Sequence, residues 1–566
     1  MRLSIWAVLL CSAPLLATPR LVDLPVPGPP EFGVLARDVI DVTFSIDPSQ
    51  ASGGGLFEDA DRVPSYSPGT VALLSQRVAH DIDGLRALPW RSWPVAQQVD
   101  FRWVYANAEV ALRELQTEKL YLHRPASWLE PLANNLIAIT TYRPEDERLR
   151  GHVMAKVPAM VEEMRQVCRT PTQRDVTTAV GVIDGLLGMC QHPPPQAGME
   201  VDVASRYSTS DEAAKALRSY RTELLALQGL PEFQVIGEDN YRWRYEHYEL
   251  LPWTPDQLLA MAKVSKNQVD ADMAAIHVPV VKPTAAEVAL ARGLTRDKLL
   301  ALYDAIVLAD RAFLLNSKIV TVSDKVGPIH ARETPDAMVP LTGDGGSMDP
   351  PPPYGDSNVG WWNVEHFHAD WSLARRLEAV RDAVEFRTNG MGPYAAHEGL
   401  PGHHLQLSVA RLNPDPIRNL LPDAVENEGW ALYAEDMFWQ AGGLGPSPQA
   451  HYDTLDSFRF RILRVVYDVN IECGRWTLQQ GADYKAGSQG QVGPDVQRAI
   501  NWPAQLIAYY AGKMQILQLK ADYRKKMGPA YSERAFHDAL LRVGSIPYVF
   551  ARAEMLGEPV PELPNR

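Results

Sequence analysis

Apolar side chains recur at three- and four-residue spacing along most of the chain, which is the period of an amphipathic helix. Residues 99–120 (VDFRWVYANAEVALRELQTEKL) show it most clearly, because no glycine or proline interrupts them. Helix starts are marked by their chemistry. Thr254-Pro-Asp-Gln257 offers a capping hydroxyl, a first-turn proline and a glutamine placed to reach back to the cap. Ser210-Asp-Glu212 puts acids where a helix dipole favours them, and Thr295-Arg-Asp-Lys298 leads into a further helix. Strand-like runs are few, at 318–322 and 233–236. The pattern predicts a mostly α protein with a small β component.

Two loops punctuate this pattern. Gln191-His-Pro-Pro-Pro-Gln-Ala-Gly198 closes an N-terminal helical region, 18–198, from a second helical region, 199–566. The break is too short for a linker between independent modules, so the two regions are read as one continuous domain. Residues 341–354 form a long Gly/Pro loop, which suits a rim or lid beside a site.

Residues 1–17 depart from the helical pattern. Arg2, the apolar run 3–17 interrupted by Pro14, and small residues near its end describe a signal peptide and a periplasmic or secreted protein. The run is too short to span a bilayer, and nothing later is long and uncharged enough for stable membrane insertion. Leu10 before Cys11 argues against lipid anchoring, where a small residue is needed. In an oxidising compartment Cys168 and Cys190 could pair or stay as thiols; with Cys473 their spacing offers no metal site. The charge, 55 Lys+Arg against 69 Asp+Glu, gives −14 and excludes a phosphate-neutralising surface, hence nucleic acid as a partner. No nucleophile elbow or phosphate-cradling loop is present.

The chemistry concentrates at His397-Glu-Gly-Leu-Pro-Gly-His-His-Leu-Gln406. Neutral imidazoles hold a metal, and an adjacent carboxylate can take a proton from water. On an unbroken helix, i+6 points about 240° away and i+7 lies about 10 Å along the axis, too far for one metal. Pro401-Gly402 removes that obstacle, because proline breaks the hydrogen-bond ladder and glycine permits a tight turn. The chain can therefore bring His403 or His404 back over His397. Glu428, 25 residues after His403, supplies a third ligand. Two histidines and one glutamate leave a fourth position open, the catalytic arrangement for zinc.

These segments, with Asn427-Glu-Gly-Trp-Ala431, resemble the signature of a bacterial family of unknown function, DUF885, whose members look like gluzincin-type zinc metallopeptidases. Pro503-Ala-Gln505 through Tyr509 to Gly512-Lys513 resembles the family's Pro-x-Gln-x-x-x-Tyr-x-x-Gly-Lys segment. Arg464 to Trp476 resembles a further segment but departs from it, with Asn470 for a glycine and Glu472 for a histidine. The resemblance implies a helical fold with a deep cleft, similar to angiotensin-converting enzyme, thimet oligopeptidase and the thermostable carboxypeptidases. It also favours His403 over His404, because those enzymes place glycine directly before the second ligand.

The expectation is therefore an exported zinc peptidase acting on short peptides. His397, His403 and Glu428 hold Zn2+, Glu398 is the general base, and Tyr509 stabilises the oxyanion. Asn427 and Asp468 are candidates to orient the ligands, and His366 and His368 offer a weaker second metal site. The rivals are a zinc amidohydrolase acting on a non-peptide amide, and a catalytically silent zinc-containing binding protein.

Overall fold

Helix-capping chemistry builds most of this architecture. The computed structural model describes residues 19–191, 211–384 and 391–564. Residues 1–17, where a signal peptide is expected, with Cys11 among them, and most of the 191–198 loop lie outside them. Thr254 accepts a hydrogen bond from the Gln257 amide while the Gln257 side chain accepts from the Thr254 amide, opening the helix Pro255–Ala275. Thr295 caps Arg296–Ser317 in the simpler one-sided way. The helix expected over 99–120 runs from Val95 to Arg113, then loosens into a π-helical turn, Glu114–Glu118. Glu114 and Glu118 both reach Arg244 from that turn, so the looser winding accompanies a buried charge network.

Neither expected strand forms. Lys318 adopts a left-handed conformation at φ 58° and ends its helix. The backbone beyond it pairs with side chains rather than a sheet: Ile319 O faces His537 Nδ1, and Thr321 N donates to Asp538. At 233–236 the Ile236 amide donates to Glu472 instead. The sheet lies elsewhere, as β1 (Ile329–Glu333), β2 (Ser347–Asp349) and β3 (Gly360–Val364). Its order is β1-β3-β2, with β1 parallel and β2 antiparallel to β3, pairing Met348 with Trp362. The expected rim loop thus contains a strand, which holds it in place.

Five helices carry the site: α1 (Met391–Glu398), α2 (His403–Ala410), α3 (Ala424–Gln440), α4 (Pro448–Glu472) and α5 (Ala508–Met527). One buried apolar cluster extends from Leu21 to Ala553, so residues on both sides of position 198 share a core. Trp430, fully buried, sits within it. Cys168 and Cys190 are separate buried thiols. Among the described residues, no helix is long and apolar enough to cross a membrane.

The contact between α3 and α5 is set by two glycines. A Cβ on Gly429 would lie 2.5 Å from the Gly512 Cα, and one on Gly512 would lie 2.1 Å from Val425 O. Backbone meets backbone there, so nothing flexible can yield. Gly429→Ala is expected to destabilise the protein by at least ~1–3 kcal/mol, the usual cost of overpacking, read by denaturant unfolding.

Candidate metal centre

Helix α1 stops at Glu398 because Gly399-Leu-Pro-Gly402 cannot continue it. Pro401 has no amide hydrogen, and the Leu400–Pro401 peptide is cis. The Gly402 amide instead donates back to Ala396 O (2.8 Å), and the His404 amide to Gly399 O (3.1 Å). A Cβ on Gly402 would fall 1.9 Å from His397 O, so only glycine fits this turn. Trp430 Nε1 donates to Pro401 O at 3.0 Å and pins the turn to α3. Helix α2 then begins at His403, whose ring stands 4.9 Å from that of His397 and nearly perpendicular to it.

Glu428 on α3 completes the group. Its Oε2 lies 3.4 Å from His397 Nε2 and 3.2 Å from His403 Nε2. One ligand atom from each of the three residues lies within 4.8 Å of the others. Two imidazole nitrogens and one carboxylate oxygen form a donor set that suits zinc. His397 Nδ1 faces Glu435 Oε1 at 2.8 Å, which directs Nε2 at the cluster. Arg461 stands 3.8 Å behind Glu435. Burial works against charge on His397, but its hydrogen bonds to Glu428 and Glu435 prevail and push its pKa up to about 9. Burial likewise opposes the Glu428 carboxylate, yet the two imidazoles hold it well below the usual range. The cluster thus favours positive charge at its centre, the condition under which a cation displaces protons.

Glu398 lies beside the cluster, only 4% exposed, in a cavity of about 500 Å³. Burial raises its carboxyl pKa, offset in part by His397 and His403. Gly345 to Met348 line this cavity, as do Tyr509, Arg461, Arg464 and Arg498. The Tyr509 oxygen accepts from Arg498 Nη2 (3.1 Å) and Gln505 Nε2 (3.3 Å). With its oxygen so supplied, the phenol hydrogen is free to be donated into the cavity. Gln505 Nε2 also donates to Glu428 Oε1 at 3.2 Å, tying α5's approach to the cluster.

The other expected residues lie elsewhere. His404, the alternative ligand, points away from the cluster: it is fully buried with Nε2 on Gly327 O at 2.9 Å. Burial there pushes its pKa down to about 4. Asn427 lines the cavity but its Oδ1 accepts from Ser545 and Gln406, and Asp468 accepts from Tyr241; no hydrogen bond joins either to His397, His403 or Glu428. His366 pairs with Asp344, and His368 packs near Trp371; they build no second metal group among the described residues. Glu472 takes the Ile236 amide and is not part of the cavity wall.

Sequence reasoning gave no role to Glu435, Gln505, Arg461 or Arg498. Glu435 had a signal, since it lies seven residues after Glu428, two turns along the same helical face. Glu435→Gln is expected to weaken metal binding about 10–100-fold by losing the carboxylate that orients His397, as read by competition with a chelator.

A largely helical fold with a His-His-Glu cluster lining a cavity defines a protein with a candidate metal centre. The chain belongs to the family described as bacterial protein of unknown function (DUF885), which matches residues 48–555 and so encloses every site residue. Its fold is similar to that of a candidate lipoprotein of unknown function from Shewanella oneidensis, at 22% identity and TM-score 0.69. That match covers 93% of this chain and 99% of the other. A candidate lipoprotein from Colwellia psychrerythraea matches at 16% identity and TM-score 0.65, over 93% and 99% of the two chains. No curated protein matches the chain.

Proposed function

We propose that this protein is an exported zinc-dependent peptidase of the gluzincin type that hydrolyses short peptides. One observation carries the proposal: His397, His403 and Glu428 converge within 4.8 Å while Glu398 opens into the same cavity. The Gly402-His403 pair supports the likeness to gluzincins, with two residues added between the histidines. When bound, zinc supplies Lewis-acid polarisation of a carbonyl and acidifies water.

The chain's own groups do the rest. Glu398 removes a proton from the attacking water and delivers it to the departing amine nitrogen. Tyr509 donates its hydroxyl hydrogen to the carbonyl oxygen as negative charge develops there. A cavity of about 500 Å³, walled on one side by the β2 rim, admits a few residues of extended peptide and excludes folded protein.

The test is turnover of a mixed peptide library, read by mass spectrometry. Fragments are expected from the zinc-loaded protein, none after chelation, and recovery when zinc is restored. A fully metal-loaded protein that leaves the whole library intact would remove the peptidase assignment.

A further inference from the structure

We infer that Arg498 anchors the C-terminal carboxylate of the substrate, so that the site works as a carboxypeptidase. This rests on the peptidase function proposed above and specifies its substrates as peptides with a free C-terminus.

Arg498 belongs to the short helix Pro494–Asn501 and faces the cavity that contains Glu398. It is only 8% exposed, yet its partners are neutral: Gln505 Oε1 at 2.8 Å and the Tyr509 oxygen at 3.1 Å. Its Nε is buried and lacks a partner. The other two arginines of the cavity differ. Arg464 gives both Nε (3.0 Å) and Nη2 (2.6 Å) to Asp495 Oδ1, and Arg461 stands 3.8 Å from Glu435. Two buried acids, Glu130 and Asp468, feel the charge of Arg498 from a distance. Neither stands within ion-pairing distance, and among the described residues no carboxylate pairs with Arg498. A buried guanidinium without a counter-ion is costly, and a planar carboxylate is the anion its fork matches.

The position fits a terminal carboxylate. Gln505 accepts from Arg498 through Oε1 and donates to Glu428 through Nε2, so the anchor lies one amide side chain from the metal cluster. One residue of peptide spans about 3.8 Å between successive Cα atoms. A carboxylate held at Arg498 therefore brings the last peptide bond, rather than an internal one, to Glu398 and the cluster.

Binding can be measured without turnover on zinc-loaded Glu398→Gln protein, by calorimetry. Three probes suffice: an N-acetylated tripeptide of alanine, phenylalanine and leucine as the free acid, the same peptide as its C-terminal amide, and an amide ending in glutamate. The acid is expected to bind roughly 10–100-fold more tightly than its amide, the worth of a two-pronged charge-assisted hydrogen bond. Adding Arg498→Gln should bring that ratio close to one with zinc content unchanged, and Arg498→Lys should restore part of it. Equal binding of acid and amide overturns the anchor in the parent protein alone, even where Arg498→Gln does not fold. So does a preference that survives Arg498→Gln. Tight binding of the glutamate amide overturns it too, by assigning the arginine to a side-chain carboxylate. On the protein with Glu398 intact, release of single C-terminal residues supports the anchor. Cleavage of acid and amide alike at internal bonds would refute the anchor but keep the peptidase. Acid-specific binding with no cleavage would do the reverse.

Discussion

Glu398→Gln is expected to retain its metal and lose peptide turnover by at least about 100-fold. A general base in the attacking step typically contributes 10²–10⁴-fold, and a neutral amide cannot accept the proton. The substitution preserves side-chain shape, which matters at a position only 4% exposed. The ligand group of His397, His403 and Glu428 does not include it, so zinc content should equal that of the parent protein. The decisive pair of measurements is metal content and kcat on one peptide found in the library test. Near-normal kcat would take Glu398 out of the mechanism. Loss of metal alongside activity would instead make it a structural support of the cluster.

The second large effect separates two adjacent histidines. His403→Ala should lower zinc affinity well beyond the roughly 10–100-fold that follows loss of a residue merely orienting a ligand. His404→Ala should leave zinc bound, because its Nε2 already faces Gly327 O on the far side of α2. Its cost should fall on stability instead, at about 2–4 kcal/mol, from a buried void and a lost hydrogen bond. A chelator competition and a denaturant curve on each variant give the four numbers required. If His404→Ala empties the site while His403→Ala does not, the turn between α1 and α2 brings back the later histidine and the assignment is wrong.

The motif residues gain a second meaning from these packing relations. Gly429 and Gly512 come from segments more than eighty residues apart, and they touch each other. Trp430 does not line the cavity but hydrogen-bonds the carbonyl of Pro401. Lys513 forms an ion pair with Asp436 at 2.5 Å, a further tie between α5 and α3. Much of the recognisable signature thus forms a clasp that sets the helices bearing the ligands at a fixed separation, with the chemistry left to a few side chains between them.

What the sequence determined by itself was local. Helical periodicity and the Thr254 cap declare mostly helical structure, because cap and turn chemistry act within four or five residues. The broken motif likewise declares a turn at Pro401-Gly402, since proline and glycine restrict or free the backbone wherever they stand. Tertiary structure decided what depends on distant partners. The strands expected at 318–322 and 233–236 did not form because His537, Asp538 and Glu472 occupy backbone groups there that a sheet would need. The choice of His403 over His404 follows from which face of α2 meets α3 and which meets the Gly327 carbonyl. Glu435, Gln505 and Arg498 gain their roles only when α3, α5 and the helix Pro494–Asn501 close around one cavity. A side chain's type states what it can bond; only the packed fold states what stands within bonding distance.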